Sequence, residues 1–411
     1  MDVLIVIYRS LNVGGIEANT YDMITNALKR NKRVIWICDV KRFISPVYSD
    51  VLNHPNFSEV RVNMSGANPW TIPKLDIDSK SRIVVLSFSY FHLFYGFSIR
   101  KKYSSNPVSV FFITPHFVGP TVFPEEAFQG WVARKVRDRL SKQFKLLDQA
   151  NSLRFFAPRH IDVIEKKYKI KIDNSNSKLY PKIKDRELFS VEDAEKRWEQ
   201  KPHIIVSAGR LEFPHKGYVI GLIKDFVHLK KEYPDLELHI YGDGPNENEL
   251  SNQINSIKTD YSNCGIIRHH SIPFEELMAV FKKCWLNISV AGCASSGAAM
   301  GLITLPARHY CYDCEVYGFF PESKNQTTES KPGTPAIDYI KEVISMGKET
   351  YVKYSKAAYD SFNEDYNNIR VDYPFDEPND ISYMPSRGEF FFVKVVCALQ
   401  RIKYVLSKIK R

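Results

Sequence analysis

No apolar stretch in this 411-residue chain reaches the roughly 18 residues that a helix needs to cross a bilayer. That leaves the cytosol or the face of a membrane as the expected setting. The N-terminus, MDVLIVIYRS, has neither the basic lead nor the cleavage site of a secretory leader and reads as a first β-strand. Cysteine is sparse, odd in number and scattered (38, 264, 284, 293, 311, 314 and 397), which argues against a disulfide scaffold and for a reducing compartment. Cys311 and Cys314 form a lone CxxC near His309, but no second pair stands at zinc-ligand spacing, so a structural role is expected. No Asp-x-Asp motif is set to hold a catalytic metal, and there is no internal repeat or low-complexity segment. The sharpest local absence is of negative charge: from Ser289 to Pro306 there is no Asp or Glu.

Hydrophobic residues make up 44% and charged residues 25%, the mix of a globular soluble chain, and the length calls for two domains rather than one. The net charge of +10 matters only through its distribution. The chain is organised around 203–245, HIIVSAGRLEFPHKGYVIGLIKDFVHLKKEYPDLELHIYGDGP. An apolar run, Ile204 to Val206, ends in Ala208-Gly209-Arg210. Ile220, Leu222, Ile223, Phe226, Val227 and Leu229 then recur at helical spacing, and a second strand, Leu236 to Tyr241, closes on Gly242-Asp243-Gly244-Pro245. Strand, helix, strand at this length implies a parallel pair with a crossover helix, so both strand ends open on one sheet edge. On that edge lie Arg210 and Lys216, flanked by Gly209 and Gly217. Two readings stand: ordinary solvated loop cations, or a diphosphate site made of two cations beside a helix N-terminus.

The words AGRLEFPHKG (208–217) and LHIYGDGP (238–245) resemble the donor-binding half of retaining nucleotide-sugar glycosyltransferases of the GT-B fold, family 4. The resemblance implies that Arg210 and Lys216 contact the donor's diphosphate and that Gly242 lies at its sugar or nucleoside. It extends to 11–17, where Gly14-Gly15 follows the strand Val3–Tyr8 and precedes a helix running to about Arg30. The corresponding GGxE loop of the family lies at the interdomain cleft, and a glycine pair lets backbone N–H groups approach a phosphate. The strand Ser109–Thr114 leads into Pro115-His116-Phe117. A lone His at a strand end is more often structural, but the family places one there against the donor sugar, and His116 matches it. Tyr90, Phe91 and His92, after the strand Ile83–Phe88, could line the acceptor side. The strand Leu153–Phe156 looks like the one that closes the family's N-terminal domain, and 177–182 like its linker, with a polar run over 182–202 marking a boundary.

The chain departs from the family at 289–304. The usual pattern is Glu-x7-Glu before a Gly-x-Pro strand, the first Glu at the sugar and the second at the ribose. Gly301-Leu302-Ile303 aligns with Gly-x-Pro, which puts Ser296 at the second Glu and the first near 288–291. Ala291 to Thr304, AGCASSGAAMGLIT, reads either as a backbone-lined loop at a helix N-terminus or as a helix packed through small side chains. Gly292, Ser295 and Ser296 would then hold donor hydroxyls, less strongly than a carboxylate does. Upstream, SIPFEEL starts a helix with Ser271 as its cap and Pro273 in its first turn. Two helices over 335–366 resemble the terminal helices of the family's second domain.

Two segments are basic and amphipathic. In 131–145, WVARKVRDRLSKQFK, a stripe of Val132, Val136, Leu140 and Phe144 stands among Arg134, Lys135, Arg137, Arg139, Lys142 and Lys145, against Asp138 alone. Segment 388–411 spaces apolar residues helically among six cations and one acid. Each either packs on its domain or docks on anionic lipid headgroups.

The expected fold is α/β, GT-B: two Rossmann-like domains, 1–185 and 186–366, face each other across a cleft, with a connector and basic helix over 367–411. The expected activity is transfer of a sugar from a nucleoside-diphosphate sugar to a glycan or lipid-linked acceptor in surface polysaccharide or glycolipid assembly. By resemblance it proceeds with retention, needs no metal or other cofactor, and takes place in the cytoplasm or on the inner face of the membrane. Cations without interleaved stacking aromatics on a strand surface speak against nucleic acid. The alternative is a non-catalytic GT-B subunit that binds a partner glycosyltransferase or a glycan. The missing glutamates favour it, and the paired Arg210 and Lys216 disfavour it.

Overall fold

The computed structural model describes residues 1–12, 14–64, 72–114, 125, 128–156, 158–173, 189–327, 330–366, 374–376, 379–380 and 383–409. In chain order the elements are β1 (Val3–Ile7), α1 (Gly15–Lys29), β2 (Arg33–Asp39), β3 (Phe57–Val62), β4 (Ile83–Ser87), α2 (Tyr90–Lys102), β5 (Val108–Thr114), α3 (Gly130–Gln149), β6 (Leu153–Phe155), α4 (Pro158–Tyr168) and α5 (Val191–Glu199). There follow β7 (His203–Ala208), α6 (Tyr218–Glu232), β8 (Leu236–Tyr241), α7 (Glu247–Asp260), β9 (Ile266–His269), α8 (Phe274–Lys283), β10 (Leu286–Ser289), α9 (Ala291–Ala299), β11 (Thr304–Pro306), the short α10 (Phe320–Ser323), α11 (Ala336–Ser345), α12 (Lys348–Tyr366) and α13 (Arg387–Ile409). They form two compact units, one built on 1–12 and 16–182 with 369–411, the other on 183–368 with 13–15.

The first unit holds a parallel sheet in the order β3-β2-β1-β4-β5-β6. Every residue of β1, β4 and β5 is buried, the pattern of parallel strands covered on both faces. Edge strand β3, FSEVRV, is only half buried and lacks the apolar run that marks the others. Helix α2, YFHLFYGFSIRKK, is buried around most of its circumference and so needs cover on two sides. On one side Gly96 lets it press on the sheet, where a Cβ would stand 3.0 Å from Val110 and 3.2 Å from Val85. On the other side lies α13, which buries Val393 and Val396 and sets Phe390 edge-on to Phe94 at 5.4 Å. A capping box opens α13: Ser386 N donates to Glu389 Oε2 at 2.6 Å and Glu389 N to Ser386 Oγ at 3.2 Å. Before it, the segment expected to be a mere connector is anchored along this unit. Asn379 Nδ2 donates to Ser152 Oγ at 2.9 Å, and Arg82 and Arg100 donate to the carbonyls of Phe375 and Tyr383.

Helix α3 corrects one expectation. Its buried face is Ala133, Val136, Leu140, Phe144 and Leu147, while Val132 is exposed beside Trp131. A strict four-residue spacing gains about 40° per step on a 3.6-residue helix, so three steps carry Val132 off the face that Phe144 shares.

The second unit holds a parallel sheet in the order β11-β10-β7-β8-β9. The chain enters at β7, winds out to β9 and crosses back to β10 and β11. The direction of winding reverses between β7 and β10, so the crevice at the carboxyl ends of those two strands is where an open α/β sheet takes its ligand. Part of the polar run 182–202 proves to be α5, whose buried Arg197 donates to Gly301 O at 2.6 Å and Met300 O at 3.2 Å. That fixes the turn between α9 and β11. No helix among the described residues is long and apolar enough to cross a membrane.

Candidate active site

Both sides of this switch point are built from glycines and buried polar groups. Gly209, just after β7, has φ of +150°, and a Cβ there would stand 2.5 Å from Lys216 Nζ. Only glycine lets the ammonium lie over the backbone. Gly242, after β8, has φ of +154°, and a Cβ on it would collide with Gly209 O; one on Gly244 would collide with Leu211 O. Gly209 N donates to Tyr241 O at 2.9 Å, Leu211 N to Asp243 O at 3.0 Å and Phe213 N to Asn246 Oδ1 at 2.8 Å. The loops after β7 and β8 are therefore one object, each needing the other's glycines.

The Lys216 ammonium makes no hydrogen bond or ion pair among the described residues. Burial lowers its pKa from the ordinary 10.5; Cys293 and Glu212 oppose the shift and Arg210 adds to it. Arg210 is about one-third exposed and only loosely engaged, its Nε 3.6 Å from Glu212 Oε2. Cys293, in the first turn of α9, lies within electrostatic range of Lys216.

That turn is held from below. Ser289 Oγ accepts from Ala208 N at 3.1 Å and donates to Asn287 Oδ1 at 2.7 Å. Asn287 Nδ2 donates to Cys293 O at 3.2 Å and Thr304 Oγ1 at 3.3 Å. Gly297 makes room for this amide, which a Cβ would strike. The stretch of small residues is thus a helix from its first residue, packed through Ala294, Gly297 and Ala298, and no side chain caps its N-terminus. Gly292 is exposed, Ser295 half-buried and Ser296, 4% exposed, faces inward. Asn287 and Ser289 were missed in the sequence because a polar residue inside a short strand has no periodic signal.

Ser271 corrects another expectation. Helix α8 starts at Phe274 with Pro273 at its N-cap position, while Ser271 Oγ accepts from Asp243 N at 3.0 Å and Ser271 N donates to Asp243 Oδ2 at 2.9 Å. It pins the loop after β8 instead of capping. Burial pushes the Asp243 carboxyl up, but bonds from Ser271 and His270 outweigh it and hold it below the usual range. Asp243, Glu247 and His270 lie close enough to share an ion. Arg268 Nη2 already meets Asp243 at 3.3 Å and Glu247 at 3.0 Å, however, so both carboxylates are engaged within the protein. Glu315, near Cys311 and Asp313, is likewise engaged by Arg308 at 2.9 Å and by Gly333 N at 2.7 Å.

Gly14 precedes α1 and Gly15 is its first residue, and nothing lies within 4 Å of a Cβ built on Gly15. His116 lies outside the described residues. Tyr90 is a correction: it is 1% exposed, in the core, with its hydroxyl on Gln143. Phe91 and His92 are half-buried. His92 Nδ1 is buried without a partner, and burial pushes the imidazole pKa down to about 4. The structure thus brings Arg210, Lys216, Gly242, Gly292, Ser295 and Ser296 to the strand ends of the second unit.

Residues 190–291 match the family model described as Glycosyl transferases group 1. No curated protein sequence matches the chain. Among solved structures, a glycosyltransferase from Rickettsia africae superposes with a TM-score of 0.56 at 14% identity, covering 91% of this chain and 96% of its own. Sucrose-phosphate synthase from Thermosynechococcus elongatus gives 0.51 at 13%, covering 89% and 95%. Anabaena HepE in complex with UDP and glucose gives 0.51 at 13%, covering 89% and 96%. Likeness at such identities carries the fold, which is GT-B. The family match covers the segment that holds Arg210 and Lys216 and ends at Ala291, inside the stretch from Ser289 to Pro306 that carries no Asp or Glu.

Proposed function

We propose that the protein moves a sugar from a nucleoside-diphosphate sugar to a glycan or lipid-linked acceptor, with retention, in the assembly of a surface polysaccharide or glycolipid at the cytoplasmic face of a membrane. The observation that carries this is Lys216: a half-buried side chain whose ammonium makes no hydrogen bond or ion pair among the described residues, within electrostatic range of the first turn of α9, which no side chain caps. Such a charge is costly unless a ligand balances it, and a diphosphate does. As the bond from the anomeric carbon to the phosphate oxygen breaks, its electron pair goes to the diphosphate. Lys216, Arg210 and the α9 N-terminus meet that growing charge, with the Gly14-Gly15 backbone adding donors. His116 contacts the transferred sugar, and Gly242, Gly292, Ser295 and Ser296 hold sugar or ribose hydroxyls. The reading needs no metal, and the UDP and glucose held by the HepE structure support it.

The test is a panel of UDP-, GDP-, dTDP- and ADP-sugars with an Arg210→Ala/Lys216→Ala variant alongside. One donor is expected to bind and slowly release its nucleotide, and the variant to lose both. The absence of acid over 289–306 favours a second reading, a GT-B subunit kept for binding. That reading prevails if no nucleotide binds and parent and variant behave alike.

A further inference from the structure

The large apolar side chains that the first unit exposes gather on two helices. Besides Met1, Val40 and Phe43, the described ones are Trp131 (65% exposed), Val132 and Leu146 on α3, and Phe391 (70%), Val395 and Leu399 on α13. Phe391, Val395 and Leu399 follow one another at four-residue steps, on a different side of α13 from the buried Val393 and Val396. Helix α13 is therefore apolar twice over, covered by α2 on one face and uncovered on the other. The two helices adjoin: Arg139 Nη2 donates to Gly388 O at 3.0 Å, and its guanidinium lies over the Phe392 ring at 4.4 Å. Along α3, the side chains of Arg134, Lys135, Arg137, Lys142 and Lys145 are exposed and make no hydrogen bond or ion pair among the described residues; the one exposed acid between them is Asp138.

We propose that α3 and α13 form a single docking face for a bilayer rich in anionic headgroups. Trp131 and Phe391 enter the boundary between headgroups and acyl chains, and the free cations of α3 meet lipid phosphates. Charge complementarity selects this occupant. A second copy of the chain would bring the same cations and be repelled. A soluble polyanion would use the cations but leave Trp131 and Phe391 in water, where exposed aromatic surface is a liability. Arg139 differs from its neighbours: its guanidinium fastens α13 to α3, which makes it a positioning residue. This proposal rests on the reading of an enzyme at a membrane face, and it does not depend on the donor site.

The full chain, without nucleotide, is sedimented with phosphatidylcholine vesicles, with and without ~30% phosphatidylglycerol. Binding to the anionic vesicles is expected to be at least about tenfold tighter than to neutral ones and to weaken with salt, with a blue shift of Trp131 emission that Trp131→Phe removes. Phe391→Ser/Leu399→Ser and Arg134→Glu/Arg137→Glu should each weaken binding about tenfold or more, while melting temperature and nucleotide binding stay as in the parent. Arg139→Ala should weaken vesicle binding and raise protease cleavage ahead of α13, which a purely lipid-contacting arginine would not do. Equal binding to neutral vesicles, no binding, or variants that bind like the parent would overturn the proposal. So would dextran sulfate binding that survives Phe391→Ser while vesicle binding is absent. Loss of donor turnover with vesicle binding intact would sink the transfer reading alone, and the converse would sink the docking face alone.

Discussion

The two sides of the switch point in the second sheet are built to the same plan and charged differently. On the β7 side, Gly209, Gly242 and Gly244 clear space for backbone, and into that space the chain puts Arg210 and an unpartnered Lys216. On the β10 side, Gly297 clears space for Asn287, and the helix that follows offers backbone N–H groups and hydroxyls but no acid. On the proposed reading, the half that would hold negative charge on a ligand is present and the half that would place carboxylates on sugar hydroxyls is missing, so grip on a diphosphate and grip on a sugar would be separable in this fold. One rests on a loop that glycine makes possible, the other on side chains that a helix merely carries.

Four perturbations would break or sharpen this contrast, the largest first. Lys216→Ala should lower kcat/KM by roughly 10²–10³-fold, the scale of losing one donor to developing charge, measured on the donor that the parent turns over. Cys293→Asp puts a carboxylate on the β10 side, which has none, within electrostatic range of Lys216. The ammonium is then satisfied by the protein, and nucleoside-diphosphate affinity should fall about tenfold. A rise would mean the β10 side wants acid after all. Gly209→Ala places a methyl on the ammonium at a positive φ, so donor affinity should drop several-fold with a loss of about 1–3 kcal/mol in urea-derived stability.

The fourth concerns pH. Because burial holds Lys216 below 10.5 and a bound diphosphate favours its cation, donor affinity should fall as pH rises, and begin to do so below pH 10.5. Lys216→Arg should bind uniformly across that range. The first unit gives a related case in His92, whose Nδ1 has no partner. His92 titrates at about 4 when folded against 6.5 unfolded. Between those values the unfolded state binds more protons, so stability should decline as pH falls from 6.5 towards 4. His92→Gln should flatten that stretch of the melting-temperature profile by a few degrees.

Much of the second unit was legible because its strands are continuous apolar runs and its turns are marked by glycine. AGR and GDGP announced the β7–β8 pair and the glycine-built loops that end its strands. Edge strand β3 was not, since FSEVRV alternates weakly and no helix forces it to be apolar. The roles of Ser271 and Tyr90 were misjudged for a shared reason. A hydroxyl's partner is chosen by tertiary neighbours, Asp243 for one and Gln143 for the other, and nothing local reports them. The apolar, helically spaced residues of 388–411 were visible, but only the all-round burial of α2 explains why one of its faces turns inward.

The most direct test of the central claim is calorimetric titration of the parent and Lys216→Ala with nucleoside, nucleoside monophosphate and nucleoside diphosphate of the base that the donor panel identifies. The account predicts that the second phosphate adds affinity in the parent, at least about tenfold, and that Lys216→Ala removes this increment while leaving the nucleoside term in place. Equal affinity of parent and variant for the diphosphate would contradict it, and the unpartnered ammonium over Gly209 would then serve something other than the donor.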